Sequence, residues 1–190
     1  MSLVMTGAPA LEPVTLGEAK AHLRVDTTTE DTFISSLITT SRLQVEAILA
    51  LALITQSWTW RFDAWSRKNV TFPIGPVSNV ASVRVQNSDL SYTTLNPSTY
   101  IVDGRAEPPR LIPVGGLFAS PGVVALGIEI AFTAGYGATA ADVPSALKQA
   151  ILLLVAHWFE NREPVVDGAP LVRFPDAVIG LLEPYRVRRL

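Results

Sequence analysis

The stretch VPSALKQAILLLVAHWFENRE, residues 143–163, constrains the fold of this chain more than any other segment. Asp142 is placed to be the N-cap of a helix, and Pro144 falls in the first turn, where its missing N–H breaks no hydrogen bond. Apolar side chains recur at helical spacing and also fill most of the remaining circumference. Such a helix must be covered on nearly every side, either by other helices of the chain or by a neighbouring copy. Because the run is short for a membrane span and contains Lys148 and His157, we do not expect lipid to cover it.

The composition narrows the class of protein. Hydrophobic residues make up 48% of the 190 residues and charged residues only 17%, which favours an oligomer over a monomer. A net charge of −2 gives no general attraction to nucleic acid or to anionic membranes. The lack of cysteine excludes disulfides, thiolate metal sites and cysteine nucleophiles. Because residues 1–13 contain neither a basic segment nor a long apolar run, we predict no signal peptide and expect a cytoplasmic protein that is later assembled.

The N-terminal part of the chain is predicted to be helical after a loose arm at residues 1–14. Thr15 and Glu18 have the spacing of a capping box, which predicts a short helix to about Arg24. The threonines at 27–29, followed by two acidic residues, predict a second helix that ends near residue 50. This long helix is the expected packing partner of the helix at 143–163.

The hydrophobic period changes from about 3.6 to 2 after the second helix, which indicates β-strands. Trp58, Trp60 and Phe62 alternate with polar residues. Further strands are predicted at Val70–Phe72, Val80–Gln86, Tyr100–Val102, Arg110–Val114 and Val123–Thr133. The last is the strongest, and its predicted apolar face consists of Val124, Leu126, Ile128, Ile130 and Phe132. Short strands separated by glycine, proline and asparagine favour a small antiparallel sheet or barrel.

These elements predict an α+β fold, in which a helical bundle carries an inserted small antiparallel β unit and an extended C-terminal tail. The bundle comprises residues 15–56 and 134–163, the β unit residues 57–133, and the linker and tail residues 164–190. The last ten residues contain three arginines and one glutamate, whereas the chain as a whole is acidic. A basic, partly apolar end on an acidic protein is typical of a docking peptide.

No segment predicts a catalytic, metal or cofactor site, so we do not expect an enzyme. His157 and Glu160 are one helical turn apart and could hold a metal, but nothing supplies the other ligands, which favours a core or interface histidine. Residues 135–137, Gly-Tyr-Gly, lack the lysine and the third glycine of nucleotide-binding loops, so we interpret them as a turn. A GxSxG elbow is likewise missing.

The aromatic strand allows two interpretations. Trp58, Trp60 and Phe62 could stack on bases or sugars. On an alternating strand they are more simply half of the core of a sheet, where large aromatic side chains bury most area.

Four segments together resemble the head-tail connector, or adaptor, proteins of long-tailed bacteriophages and phage-like gene transfer agents. They are EPVTLGEAKAHLRVD, TTTEDTFISSLITTSRLQVEAIL, AFTAGYGATAADVPSALKQAILLLVAHWFENRE and LLEPYRVRRL, in that order. The match covers about half of the chain, and the β unit matches only in type.

The resemblance implies a structural role without a reaction. Proteins of this family form a ring, usually of twelve copies, beneath the portal protein, where they extend the DNA channel and contact the next neck protein. For this chain the resemblance implies packing within and between subunits by Leu147, Ile151, Leu154, Val155, Trp158 and Phe159. It implies portal docking by Tyr185, Arg186, Val187, Arg188, Arg189 and Leu190. Loops of the β unit would contact the downstream neck protein, DNA would only pass through, and the protein would be made in a bacterial cytoplasm and incorporated at the neck.

Two alternatives remain. The chain could be a neighbouring neck protein, either a stopper or a tail terminator. It could also be a small-molecule-binding or hydrolytic domain, which predicts a pocket with convergent polar groups behind Trp58 and Trp60.

Overall fold

The computed structural model describes residues 1–66, 69–104, 106–162 and 175–186. The chain divides into two compact units. Unit 1 consists of Met1–Ala10 and Ala50–Ala138, and unit 2 consists of Leu11–Leu49 and Thr139–Leu190. Unit 1 contains the strands and unit 2 the α-helices, so the fold is α+β.

Unit 2 contains four α-helices in its described residues, which are α1 (Leu16–Leu23), α2 (Asp31–Leu49), α3 (Ser145–Glu160) and α4 (Asp176–Leu182). The predicted capping box is confirmed, because Glu18 N donates to Thr15 Oγ1 at 3.1 Å and Thr15 N donates to Glu18 Oε2 at 2.7 Å. The predicted extent of α2 is also confirmed.

The predicted start of α3 is wrong by two residues, and Asp142 is not its N-cap. The Asp142 carboxylate accepts hydrogen bonds from Thr139 N at 2.9 Å and from Thr139 Oγ1 at 2.8 Å, within a 3₁₀ turn at Ala140–Asp142. Val143 precedes a proline and has the extended backbone that this position favours, with ψ 130°. The helix therefore begins only at Ser145.

Other helices of the chain cover one face of α3. α3 packs against α1, α2 and α4. Leu147, Ala150, Ile151, Leu154 and Val155 are each 0% exposed, so the interior of unit 2 is built on this helix. The remaining large apolar side chains of α3, Leu152, Leu153, Trp158 and Phe159, are half-buried. The sequence allowed either other helices of the chain or a neighbouring copy to cover this helix. The buried face of α3 is covered by helices of the same chain.

The described residues of unit 1 form two antiparallel sheets. The five-stranded sheet has the order β1-β2-β8-β4-β5, formed by Ser2–Gly7, Gln56–Phe62, Ile128–Ala134, Val77–Gln86 and Tyr92–Thr94. The three-stranded sheet has the order β3-β7-β6, formed by Val70–Thr71, Arg110–Pro113 and Tyr100–Asp103. The β part is therefore larger than the small unit that the sequence predicted.

The core of unit 1 is aromatic. The ring of Trp60 lies 4.3 Å from Phe62 and 6.2 Å from Phe72, and Phe72 lies 5.1 Å from Phe132, measured between centroids. These four side chains are buried, so the interpretation of the aromatic strand as half of a sheet core is confirmed.

Two predictions about the strands are wrong. Residues 2–7 are not a loose arm but form edge strand β1, in which Leu3 pairs with Trp60 and packs on the core. The strand predicted from Val123 begins only at Ile128. Leu126 has a left-handed backbone, with φ 53°, which interrupts an extended chain, and Val124 is 96% exposed.

Candidate functional site

The described residues contain no group of three or more His, Cys, Asp or Glu that could hold a metal ion. His157 is half-buried, and its Nε2 is buried and has no hydrogen-bond partner among the described residues. Glu160 is exposed. None of the helices described combines the length and apolar character needed to span a bilayer.

The Gly135–Gly137 segment is a tight backbone connection. Gly135 N donates to Pro76 O at 2.9 Å, and Tyr136 N donates to Leu53 O at 3.3 Å, so these two N–H groups are already used within the protein. Gly135 has φ 139°, and a Cβ there would lie 2.7 Å from Thr55 N. Only glycine fits this position, which explains the sequence pattern without a bound phosphate.

The pocket predicted behind Trp58 and Trp60 is filled by packed aromatic rings of the unit 1 core. An open cleft lies elsewhere, between β4 and β6, where its lining includes Ser78, Asn79 and Asp103. The small-molecule alternative therefore loses the pocket on which it rested.

A buried carboxylate joins the three central strands of the five-stranded sheet. Glu129 on β8 is 2% exposed and accepts a hydrogen bond from Arg61 Nε on β2 at 2.7 Å and another from Arg84 Nε on β4 at 2.9 Å. Burial raises the pKa of Glu129, but the hydrogen bonds from Arg84 and Arg61 outweigh burial and lower the pKa below its ordinary value. The carboxylate is therefore charged at neutral pH and ties β2, β8 and β4 together.

A second buried ion-pair cluster lies in unit 2. Arg42 is 5% exposed, and it donates from Nε to Glu12 Oε2 and from Nη1 to Glu46 Oε2, both at 2.7 Å. Thr39 Oγ1 donates to Glu12 Oε1 at 2.9 Å. Burial lowers the pKa of Arg42, whereas the hydrogen bond to Glu12 raises it, and the net shift is upward. These contacts fix the segment before α1 onto α2, which is a structural role.

Two loops of unit 1 meet at one end of the five-stranded sheet, and we call them the loop apex, defined as residues 86–91 and 114–127. Gly122 N donates to Gln86 O at 2.8 Å, and Gln86 N donates to Gly127 O at 2.7 Å. A Cβ on Gly122 would lie 2.3 Å from Ser88 N, so the two backbones are in direct contact. The loops form one surface.

The longer loop of the apex is also anchored to the chain that follows β2. Leu126 N donates to Asp63 Oδ1 at 2.7 Å. Trp65 Nε1 donates to Ala119 O at 2.7 Å, and the Trp65 ring stacks on Phe118 with centroids 4.2 Å apart. The base of the loop is therefore held by side chains as well as by backbone.

Large apolar side chains of the loop apex are exposed despite these anchors. Exposure is 68% for Leu90, 52% for Val114, 79% for Leu117 and 96% for Val124. The alternation of apolar residues predicts Val124 within a strand, and no pattern in the sequence predicts the exposure of Leu90 and Leu117. The available signal was a run of apolar residues within a loop rich in glycine, GGLFASPGVVALG.

The predicted docking tail is described only in part. Tyr185 is half-buried in a 3₁₀ turn at Glu183–Tyr185, and Arg186 Nη1 lies 3.5 Å from Glu183 Oε2. α4, which precedes the turn, packs on α3 through the buried Val178. The other predicted docking residues, Val187, Arg188, Arg189 and Leu190, lie outside the described residues, as do residues 164–174 of the predicted linker.

The family model for head completion proteins matches residues 13–165. The chain belongs to the head completion protein family. Comparison with curated proteins finds no match.

Comparison with solved structures finds chains of gene transfer agent (GTA) particles. The chain is 28% identical to one in the virion of a native GTA particle and to one in the neck of an empty particle computed with C6 symmetry. In both cases the TM-score is 0.84, and the match covers 100% of this chain and 97% of the other. A chain in the neck of a native GTA particle computed with C12 symmetry is 26% identical, with a TM-score of 0.77 and the same coverage. The predicted relationship to the connector proteins of phage-like particles is confirmed.

Proposed function

We propose that this protein is a ring-forming adaptor in the neck of a phage-like particle, where it joins the portal to the next neck protein and extends the DNA channel. The observation that carries the proposal is similarity over the full length of the chain to a protein of a GTA neck that was computed with C12 symmetry. Membership of the head completion protein family supports the same role. A ring of twelve copies follows from that symmetry if this chain assembles as its relative does.

In the proposed ring, the helices of unit 2 act as a bundle that carries the lateral contacts. Leu147, Ile151, Leu154 and Val155 are buried within the subunit and serve this bundle rather than a neighbour. Lateral contact falls to apolar side chains that the subunit leaves accessible. These are Leu11, Leu43 and Ile179, exposed by 40%, 48% and 40%, together with the half-buried Trp158 and Phe159.

The portal contact is proposed for the C-terminal residues 185–190. Arg186 is exposed and lies beside a single glutamate, and two further arginines follow in the sequence. A short basic peptide gains avidity when a ring presents many copies to a symmetric partner, so that each contact can be weak. The net charge of −2 suits a channel through which DNA slides, because few phosphate contacts hold it back.

The test uses the full chain with purified portal rings and no other neck protein. We expect a ring of this protein on the portal in electron micrographs, and we expect deletion of residues 187–190 to abolish binding. Leu43→Glu should reduce ring closure, whereas Thr32→Glu, at another exposed position of α2, should not.

The same experiment separates an adaptor from a stopper or a tail terminator. An adaptor binds the bare portal. A protein that binds only when the portal already carries another ring would contradict the proposal.

A further inference from the structure

We propose that β1 of one copy of this protein pairs with the unpaired half of β4 in the next copy, so that the five-stranded sheet continues from subunit to subunit. The inference rests on the proposed function, because it needs neighbouring copies in a ring. The contact is separate from the one proposed for the helices of unit 2. Its occupant is a second copy of the chain, and its chemistry is antiparallel strand addition through backbone hydrogen bonds.

The first of the two surfaces is the free edge of β1. Among the described residues β1 pairs only with β2, so one side of the strand has no partner strand. Edge strands usually carry lysine, proline or inward-pointing charges that prevent pairing with another chain. The sequence of β1, SLVMTG, contains none of these, and Val4, Met5 and Thr6 are exposed. This edge is therefore open to another strand.

The second surface is the first half of β4. β5 pairs with only three of the ten residues of β4, those from Arg84 to Gln86, and Val83 O accepts a hydrogen bond from Leu95 N at 2.8 Å. Residues 77–82 have no strand on that side in the part of the chain that the structure describes. The cleft between β4 and β6, of about 520 Å³, lies beside them. Two register shifts in the pairing with β8 twist this stretch but leave its other side free.

The two edges match in length and in charge. β1 has six residues, and the unpaired stretch of β4, VSNVAS at 77–82, has the same number. Neither segment contains a charged residue or a proline, so neither repels the other or removes a backbone donor. A neighbour's β1 beside this stretch would lie in line with β5 and would complete the pairing of β4.

The strand directions are also compatible. Each neighbouring pair in the order β1-β2-β8-β4 is antiparallel, so β1 and β8 run in one direction and β2 and β4 in the other. If the next copy continues the sheet in the same orientation, its β1 runs antiparallel to β4. Antiparallel pairing is the more stable of the two modes.

The positions of the edges select a head-to-tail contact. β1 lies at one edge of the sheet, and the unpaired stretch of β4 lies with β5 at the opposite edge. A ring requires two different surfaces, so that each copy presents one to each of its neighbours. Two β1 strands paired about a two-fold axis would use the same surface twice and would stop at a dimer.

Side chains add an apolar contribution to the backbone pairing. Leu3 packs on the core of unit 1, and Met5, two residues further along β1, lies on the same face of the sheet. In the continued sheet this face borders the cleft, whose lining includes Val80, Tyr100 and Val102. Met5 is 36% exposed in the subunit and would gain apolar neighbours there.

The experiment uses disulfide crosslinking, because the chain has no cysteine of its own. Val4→Cys/Ala81→Cys places one cysteine on each proposed edge, at exposed positions. Rings assembled on purified portal and then oxidised should give a ladder of linked oligomers on a non-reducing gel, since a disulfide requires Cα atoms within about 7 Å. Each single variant should stay monomeric on the gel, and a mixture of the two should give dimers.

The matched control is Val4→Cys/Leu117→Cys, in which the second cysteine replaces a side chain that is 79% exposed outside both edges. Rings that give no ladder in the first double variant, or an equal ladder in the control, would overturn the inference. Dimers of Val4→Cys alone would also overturn it, because β1 would then pair with another β1. Wild-type protein that forms no ring at the portal would refute the proposed function instead.

A charged residue on the edge gives a second, independent measurement. Val4→Lys should match the wild type in thermal unfolding because Val4 is 53% exposed, yet it should give at least about tenfold fewer closed rings on the portal. Leu117→Lys is its control and should close rings as the wild type does. Closed rings of Val4→Lys at wild-type frequency would contradict the pairing.

Discussion

Replacing Glu129 by glutamine tests whether the buried carboxylate of unit 1 holds its central strands together. The substitution keeps the size of the side chain and removes its charge. Arg61 and Arg84 then face an amide that can accept from one of them but presents its own donors to the other. The change therefore isolates the electrostatic part of the contact.

The structure sets the size of the expected effect. Hydrogen bonds to charged groups are worth about 1.5–3 kcal/mol each when buried. The side chains of Arg61 and Arg84 are 49% and 40% exposed, so in the variant water can replace part of their lost hydrogen bonding to the carboxylate. We expect Glu129→Gln to lower the free energy of unfolding by about 2 kcal/mol at pH 7.

The pH dependence has a definite sign. Because the pKa of Glu129 is lower in the folded than in the unfolded state, its contribution is complete above the unfolded pKa of about 4.5 and is lost as the pH falls through the folded pKa. The difference in stability between wild type and Glu129→Gln should therefore be constant from pH 7 to about pH 5 and shrink at lower pH.

Urea unfolding followed by tryptophan fluorescence is a suitable assay, because Trp58, Trp60 and Trp65 all lie in unit 1. The control is Glu107→Gln, which removes an exposed carboxylate from the same unit and should change stability by less than about 0.5 kcal/mol. A difference for Glu129→Gln that is negligible at pH 7, or that persists undiminished at pH 3, would refute the reasoning.

Three further substitutions test other parts of the fold. Leu154→Ala should lower the free energy of unfolding, measured with urea, by about 2–5 kcal/mol because Leu154 is 0% exposed on α3. Leu152→Ala, at a half-buried position of the same helix, should lower it by less than half as much. Equal losses would mean that both faces of α3 are covered to the same extent. Thr15→Ala should cost about 1 kcal/mol through loss of the capping box, and no measurable change would show that the first turn of α1 does not depend on it. Gly135→Ala should lower the free energy of unfolding by about 3 kcal/mol or more because its Cβ would meet the backbone of residues 54 and 55. In Gly17→Ala the new Cβ meets no atom within 4 Å, so this variant should be as stable as the wild type or slightly more stable. Similar results for the two variants would contradict the close approach at Gly135.

The helices could be predicted because their signals are local. Thr15 and Glu18 form the capping box that their spacing indicates, and α2 follows its apolar stripe from Asp31 to Leu49. The start of α3 was missed because the side chain of Asp142 turns back to Thr139, a choice that the helical period does not reveal.

The errors in the strands come from contacts between distant residues. β1 is a strand because Leu3 packs beside Trp60, more than fifty residues away, and its own alternation is weak. β5 is three exposed residues that pair with β4 and carry no apolar pattern. The predicted start of β8 is too early because Val124 and Leu126, in the preceding loop, continue the alternation of the strand.

The loop apex could not be predicted from the sequence for a similar reason. Its position depends on which strand ends lie together, and that order places the turn after β4 beside the loop before β8. The exposure of Leu117 and Val124 then depends on side chains such as Asp63 and Trp65, which hold the loop from another part of the chain.

β8 is the middle strand of the five-stranded sheet, although it is the last of those strands along the chain. While the protein is being synthesised, β2 and β4 cannot be joined until the ribosome has released Ala134. The aromatic residues of β2 lack their β8 partners while residues 63–127 are synthesised, and such nascent segments are prone to aggregate or to engage chaperones. A messenger truncated before the codon for Ile128 should accordingly yield an insoluble product, even though most of the chain has been made.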